Sequence, residues 1–168
     1  MKKFLSGVIT AFALACIVAF TIMKLGLVPL NADAAPSSLE KSIFSMAVRS
    51  SVAHHATEQP KDGFPTNEDL LSGAEIYKGM CAECHGSLSG RPSTLGASFY
   101  PPAPQLPGRA TAYTEPELFW IVKHGIRNTS MPSWRNMLSD EGIWQVVSFV
   151  KRINALPPEV GAELKGQN

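Results

Sequence analysis

The sequence predicts an all-α protein, with three principal helices in one small domain and a separate hydrophobic helix at the N-terminus. Three observations carry this expectation. After residue 66, apolar residues recur at helical spacing in three stretches, each opened by a capping hydroxyl. Phe4 to Met23 is an apolar run of about 20 residues, long enough for about 30 Å of helix. No convincing alternation of apolar and polar residues marks a strand.

The N-terminal run follows a basic start, Met1-Lys2-Lys3, and is interrupted by Lys24 before a second apolar patch, Leu25 to Leu30. As a cleaved signal it would use Ala32-Asp33-Ala34 as its small-residue processing site, but its apolar part exceeds the usual roughly 7–15 residues. As an uncleaved anchor its length fits a bilayer, and Lys24 can reach the far interface with its ammonium. The length favours the anchor. Cys16 follows Leu14-Ala15 as in a lipoprotein site, yet such a cut would leave Ile17 to Leu30 on the mature chain, so a buried small hydrophobe is the better reading. Either way Lys2 and Lys3 stay inside and the remainder is translocated. The expected organisation is an anchor or signal segment over 1–30, a linker with a short amphipathic helix over 31–65, and the functional domain over 66–168.

In the linker, Ser37 with Glu40 forms a capping box, and Leu39, Ile43, Met46, Ala47 and Ala53 then fall at helical spacing. This predicts a membrane-proximal helix resting on the bilayer or on the domain. His54 and His55 close it, and a solvated pair is the simpler account than metal ligation. Glu58 to Pro65 marks the boundary. In the domain, Thr66 caps a first helix whose Leu70, Leu71, Ala74, Tyr77 and Cys81 share one face. Thr114 with Glu117 opens a second, ended by Gly125. Ser139-Asp140-Glu141 opens a third, with Ile143, Val146, Val147, Val150 and Ile153 on one side and Pro157-Pro158 stopping it.

Cys81-Ala82-Glu83-Cys84-His85 decides the chemistry. A Cys-x-x-Cys-His run is the attachment signature of a c-type haem. Two thiols at that spacing can each add to one vinyl group of a single porphyrin, and the adjacent His becomes an axial ligand of the iron. A structural zinc site would need two more ligands at comparable spacing, and a redox dithiol would want a βαβ context. With Cys81 and Cys84 holding haem, only Cys16 remains and no pair is left for a disulfide. A domain of about 100 residues with three short helices has a thin core, so the haem itself is expected to complete it.

The second axial ligand has four candidates: Met131, Met137, His124 and Met80. Met80 precedes the attachment cysteine and cannot reach the opposite face. His124 suits the C-terminal end of the second helix, where a cation complements the dipole. Met137 fits ordinary packing before the third helix. Met131 is followed by Pro132, which stiffens the backbone where a sulfur must point at iron. On chemistry Met131 ranks first, with Met137 and His124 behind it.

From Asn67 to Leu156 the chain resembles monohaem cytochromes c of the bacterial class I type. Gly73 and Tyr77 match the small and aromatic residues where the family's first and last helices cross. Cys81, Cys84 and His85 match the attachment site, and Ile121 to Arg127 followed by Met131-Pro132 is similar to the segment leading to the distal methionine. Trp144, with Ile143 and Val147, stands where the family's last helix meets the first. The resemblance implies a small class I cytochrome c fold with three main helices around one covalent haem, His85 and Met131 as axial ligands, and an electron carrier rather than an enzyme. It also implies a backbone carbonyl accepting the His85 Nδ1–H, which falls within the proline-rich stretch Arg91 to Pro107 and cannot be placed there by counting.

Arg109, Tyr113, Arg127 and Trp134 are candidate donors to the haem propionates, and Tyr100, Pro101 and Pro102 candidate walls of its edge. From residue 61 onward there are ten Lys and Arg against eleven Asp and Glu, with no basic stripe, so nucleic-acid binding has no support. The expected partners are a redox donor and a redox acceptor, with the membrane reached through the N-terminal helix. The expected location is the bacterial inner membrane with the haem domain in the periplasm, or the soluble periplasm if the segment is cleaved. Two alternatives remain: an open-site haem protein that binds gases or reduces peroxide, and a cytochrome subunit of a larger membrane oxidoreductase.

Overall fold

A computed structural model describes residues 1–109 and 111–166; the last two residues of the expected 66–168 domain lie outside them. The described residues hold helices and loops and no strand. The chain divides into two compact units, Met1–Ala34 and Ala35–Asn168. The first unit is helix α1, Lys2–Lys24, whose 23 residues include none that is buried and which is long and apolar enough to cross a membrane.

The second unit begins with α2, Ser38–His55, capped by Ser37 accepting from the Glu40 backbone N–H. Its expected apolar face turns outward: Leu39, Ile43, Met46, Ala47 and Ala53 are exposed. The face packed inward carries Phe44, Val48 and Val52, the last of them 1% exposed. Two apolar faces share this helix, and the local pattern could not say which one the domain would cover.

Three helices then build the domain where the caps placed them. Helix α3, Asn67–Ile76, and helix α6, Glu115–His124, each open on a complete capping box, Thr66 with Asp69 and Thr114 with Glu117. Helix α7, Asp140–Arg152, opens on Ser139, which accepts from the Gly142 N–H. Between α3 and α6 lie a π-helical turn Tyr77–Cys81, a short α4 at Ala82–His85 and a short α5 at Thr94–Ala97. Helix α7 ends at Arg152, five residues ahead of the Pro157-Pro158 pair that was expected to stop it, and Pro158 instead opens α8, Pro158–Gly166, a helix not expected from the sequence. Pro at the first helical position loses no intrahelical bond, so Pro158 suits the start of α8.

Two clusters form the core, and α7 supplies both. Leu70, Ala74 and Tyr77 meet Val146, Phe149, Val160 and Leu164 in one. Leu118 and Phe119 meet Ile143, Trp144 and Val147 in the other. Trp144 therefore does not sit at the crossing of first and last helices; its ring stacks on Phe119 of α6 with centroids 4.2 Å apart. The crossing itself is made by Gly73, where an added Cβ would stand 2.2 Å from the Gln145 carbonyl oxygen, with Tyr77 and Phe149 rings 5.7 Å apart beside it. One face of α7 cannot serve two helices with the same residues, so three- and four-residue spacing divides them.

Asp69 ties the cap of α3 to α7. Its carboxylate accepts from the Thr66 N–H at 2.9 Å and from Gln145 Nε2 at 3.1 Å. Burial pushes its pKa up, but hydrogen bonds from the Thr66 backbone, Gln145 and the Thr66 hydroxyl outweigh this and hold it below the usual value. A depressed carboxyl contributes stability that is present above its unfolded pKa, about 3.9, and lost as pH falls through the folded value. Melting curves across the acid range should therefore show stability falling below about pH 4. Asp69→Asn should flatten that part of the profile and cost about 1 kcal/mol near neutrality.

Candidate functional site

The attachment run closes the first helical stretch. Tyr77, fully buried, donates from its phenol to the Gly86 carbonyl at 2.7 Å, bracing the chain just past His85. Burial, then the proximity of Cys81, raises its pKa and keeps it a donor. Cys81 and Cys84 are free thiols, both half-buried. Burial and then Cys84 push the Cys81 thiol up to about 11. Among the described residues no group of three or more His, Cys, Asp and Glu side chains could hold a metal ion, so the zinc reading finds no donor set.

His85 Nδ1 lies 2.8 Å from the Pro104 carbonyl, 19 residues on. A carbonyl only accepts, so Nδ1 carries the proton and Nε2 keeps its lone pair free for a metal. The carbonyl that the sequence could not place within Arg91 to Pro107 is thus that of Pro104. Leu106 N–H donates to the His85 carbonyl at 2.9 Å, closing the loop from the other side.

Gln105 holds that loop in register and was not singled out by sequence. Its Oε1 accepts from the Ser93 N–H at 2.7 Å, and its Nε2 donates to the carbonyls of Cys84 and Ala103 at 3.2 and 3.1 Å. The Ser93 hydroxyl in turn donates to the Glu83 carbonyl. Gly96 packs so closely beneath that a Cβ would stand 1.9 Å from the Cys84 carbonyl oxygen. Gln105→Leu should leave covalent haem content unchanged but lower the melting midpoint, with a loss of about 1–3 kcal/mol from stranded backbone groups. An unchanged midpoint would show that the loop is held by other contacts.

Met131 stands in a loop folded back on the end of α6. Gly125 ends that helix at φ +69°, a conformation that a side chain resists. A Cβ there would also meet the Met131 carbonyl oxygen at 2.7 Å. The last carbonyls of a helix lack partners within it. Here those of Val122 and Lys123 accept from the Trp134 N–H at 3.1 Å and the Ser133 hydroxyl at 2.7 Å. Ile126 N–H donates to the Met131 carbonyl at 3.2 Å, and Met131 N–H donates to Thr129 Oγ1 at 3.1 Å. Of the four candidate sixth ligands, Met131 alone is half-buried; Met80 and Met137 are 41% and 56% exposed, and His124 is exposed.

Of the candidate propionate donors, Tyr113 and Trp134 are half-buried. Arg109 and Arg127 are exposed. The Tyr113 ring lies under Arg49, 5.7 Å away, and its carbonyl accepts from Lys151. Tyr100, expected at the haem edge, donates its phenol to Glu40 of α2, and that hydrogen bond raises its pKa.

An all-helical domain whose Cys-x-x-Cys-His turn presents two cysteines outside any disulfide and a singly committed imidazole defines a monohaem c-type cytochrome. Residues 68–150 match the family described as cytochrome c oxidase, cbb3-type, subunit III. The chain is a monohaem c-type cytochrome, its cofactor is covalently bound haem c, and its chemistry is haem-based electron transfer.

Proposed function

We propose that this chain relays single electrons between redox proteins of a respiratory or related periplasmic electron-transport chain. In this reading α1 holds it in the inner membrane. Cys81 and Cys84 tether the haem, His85 supplies the proximal nitrogen and Met131 the distal sulfur. The observation that carries it is the His85–Pro104 hydrogen bond, which leaves one ring nitrogen free, together with the half-buried Met131 on a loop pinned to α6. The haem supplies a one-electron couple, and a thioether ligand favours its ferrous form relative to a second imidazole. His85, oriented by Pro104, and Met131, fixed by Gly125, Thr129 and the end of α6, keep the same positions in both valences. Little rearrangement then opposes electron exchange.

Carbon monoxide added to the reduced protein at neutral pH should leave the visible spectrum unchanged, because His85 and Met131 would both hold the iron. Met131→Ala should bind it stoichiometrically while the thioethers stay intact. Rapid binding by the unaltered protein would instead indicate an open site suited to gases or peroxide. An unaltered spectrum in the Met131→Ala protein would move the ligand to Met137 or His124.

The match of residues 68–150 to an oxidase-subunit family favours a second reading, in which the chain is a subunit of a membrane oxidoreductase. Its electron chemistry is the same. Mild-detergent extraction separates the two: a stable complex retaining this chain supports the subunit, and a lone cytochrome supports the shuttle.

A further inference from the structure

Helix α2 carries an apolar face that the domain leaves uncovered. Its inner face, Phe44, Val48 and Val52, packs toward α6, while Leu39, Ile43 and Met46 are 68%, 53% and 62% exposed. Spacings of three and four residues put those three on one side. That side carries no charge. Glu40 is bound to Tyr100 and Arg49 lies over the Tyr113 ring, so the neighbouring charges are committed to the domain. Farther along the same side come Ser50 and Ala53, so the apolar character fades from the N-terminal end of α2 toward its C-terminal end.

We infer that Leu39, Ile43 and Met46 seat α2 in the interfacial layer of the bilayer that holds α1, giving the haem domain a fixed face toward the membrane. This rests on the anchor reading of α1. The chain selects the occupant. Thirteen residues separate Lys24 from Ser38, and Leu25, Leu27, Val28 and Leu30 among them are exposed and apolar. An extended residue spans at most about 3.6 Å, so the linker keeps the start of α2 within about 50 Å of the anchor's end. The apolar end of α2 is the end nearer the anchor along the chain. Three side chains are a weak membrane signal alone, but a short tether presents them at a high effective concentration. Because α2 packs on α6, and α6 carries the Met131 loop at its C-terminal end, seating α2 restricts the directions in which the haem loop faces. The partners it suits are membrane-bound proteins on the same side.

The test uses the full-length holoprotein in phosphatidylethanolamine–phosphatidylglycerol vesicles, with Cys16→Ala so that one introduced cysteine can be labelled. A fluorophore at Met46→Cys should be quenched by lipids carrying a nitroxide near the headgroup and shielded from aqueous iodide. A fluorophore at Glu163→Cys, on α8 and separated from α2 by α6, α7 and α3, should show the reverse. Leu39→Ser with Ile43→Ser should reduce the lipid quenching at position 46 several-fold, without changing the haem spectrum or the retention of the chain after carbonate washing. A label at 46 as open to iodide as that at 163, on a chain still retained, would overturn the inference alone. So would shielding from iodide without lipid quenching, which would mean that a second copy covers the face. Release by carbonate would overturn the anchor reading and this inference with it.

Discussion

Replacing Cys81 and Cys84 together by alanine is expected to abolish covalent haem and leave a largely unfolded domain. The two core clusters lie on α3, Tyr77 of the π-helical turn, α6, α7 and α8. The segments that complete the fold bury almost nothing of their own: among described residues 86–113 the fully buried ones are Gly86 and Gly96, and among 125–138 only Gly125. Glycines bring no side chain to a core, yet ordering each loop residue costs about 1–2 kcal/mol of backbone entropy. Haem surface has to offset that. The check is denaturing electrophoresis stained for haem, followed by circular dichroism and thermal melting of the variant. Haem still attached to the denatured chain would falsify the tether assignment. A compact, cooperatively melting haem-free domain would refute the stabilising role.

The second large effect is expected at Gly73. Helix propensity alone makes Gly73→Ala favourable by about 1 kcal/mol, because glycine is a poor helix former. Packing reverses the sign. The new Cβ would lie 2.2 Å from the Gln145 carbonyl oxygen and 2.9 Å from Phe149 Cβ, and the first of these is backbone that cannot swing aside. Helices α3 and α7 must separate, loosening the contact that carries Leu70, Ala74 and Tyr77. Overpacking typically costs 1–3 kcal/mol, and a backbone clash belongs at or above the top of that range, about 3 kcal/mol. For a domain this small the melting midpoint should fall by more than about 10 °C. Gly79→Ala is the control: a Cβ there meets nothing within 4 Å, so that variant should melt no lower than the parent. Equal melting of the two variants would show that the crossing tolerates a methyl group.

Local chemistry was legible. The Thr66 cap and the Thr114–Glu117 capping box were recognisable because the groups that bond lie three residues apart. The box expected at Ser37–Glu40 is only half formed, the Glu40 carboxylate accepting from Tyr100 instead. Cys81, Cys84 and His85 stand out in the sequence for the same reason, since attachment to one porphyrin would require them side by side. Met131 was ranked first of four candidates by its following proline and by resemblance; it is also the half-buried one of the four, and its role as ligand stays a proposal.

What the sequence determined by itself was the all-helical class, the starts of α3, α6 and α7, the apolar length of α1 and the attachment chemistry. All of these depend on groups within a few residues of one another. Tertiary structure decided which face of α2 the domain covers, that Trp144 serves α6 while Gly73 makes the crossing with α7, and that Pro104 and Gln105 brace His85 and Cys84. Those choices join groups 19 or more residues apart through loops without periodicity, and only packing in three dimensions selects among equivalent apolar faces or backbone carbonyls.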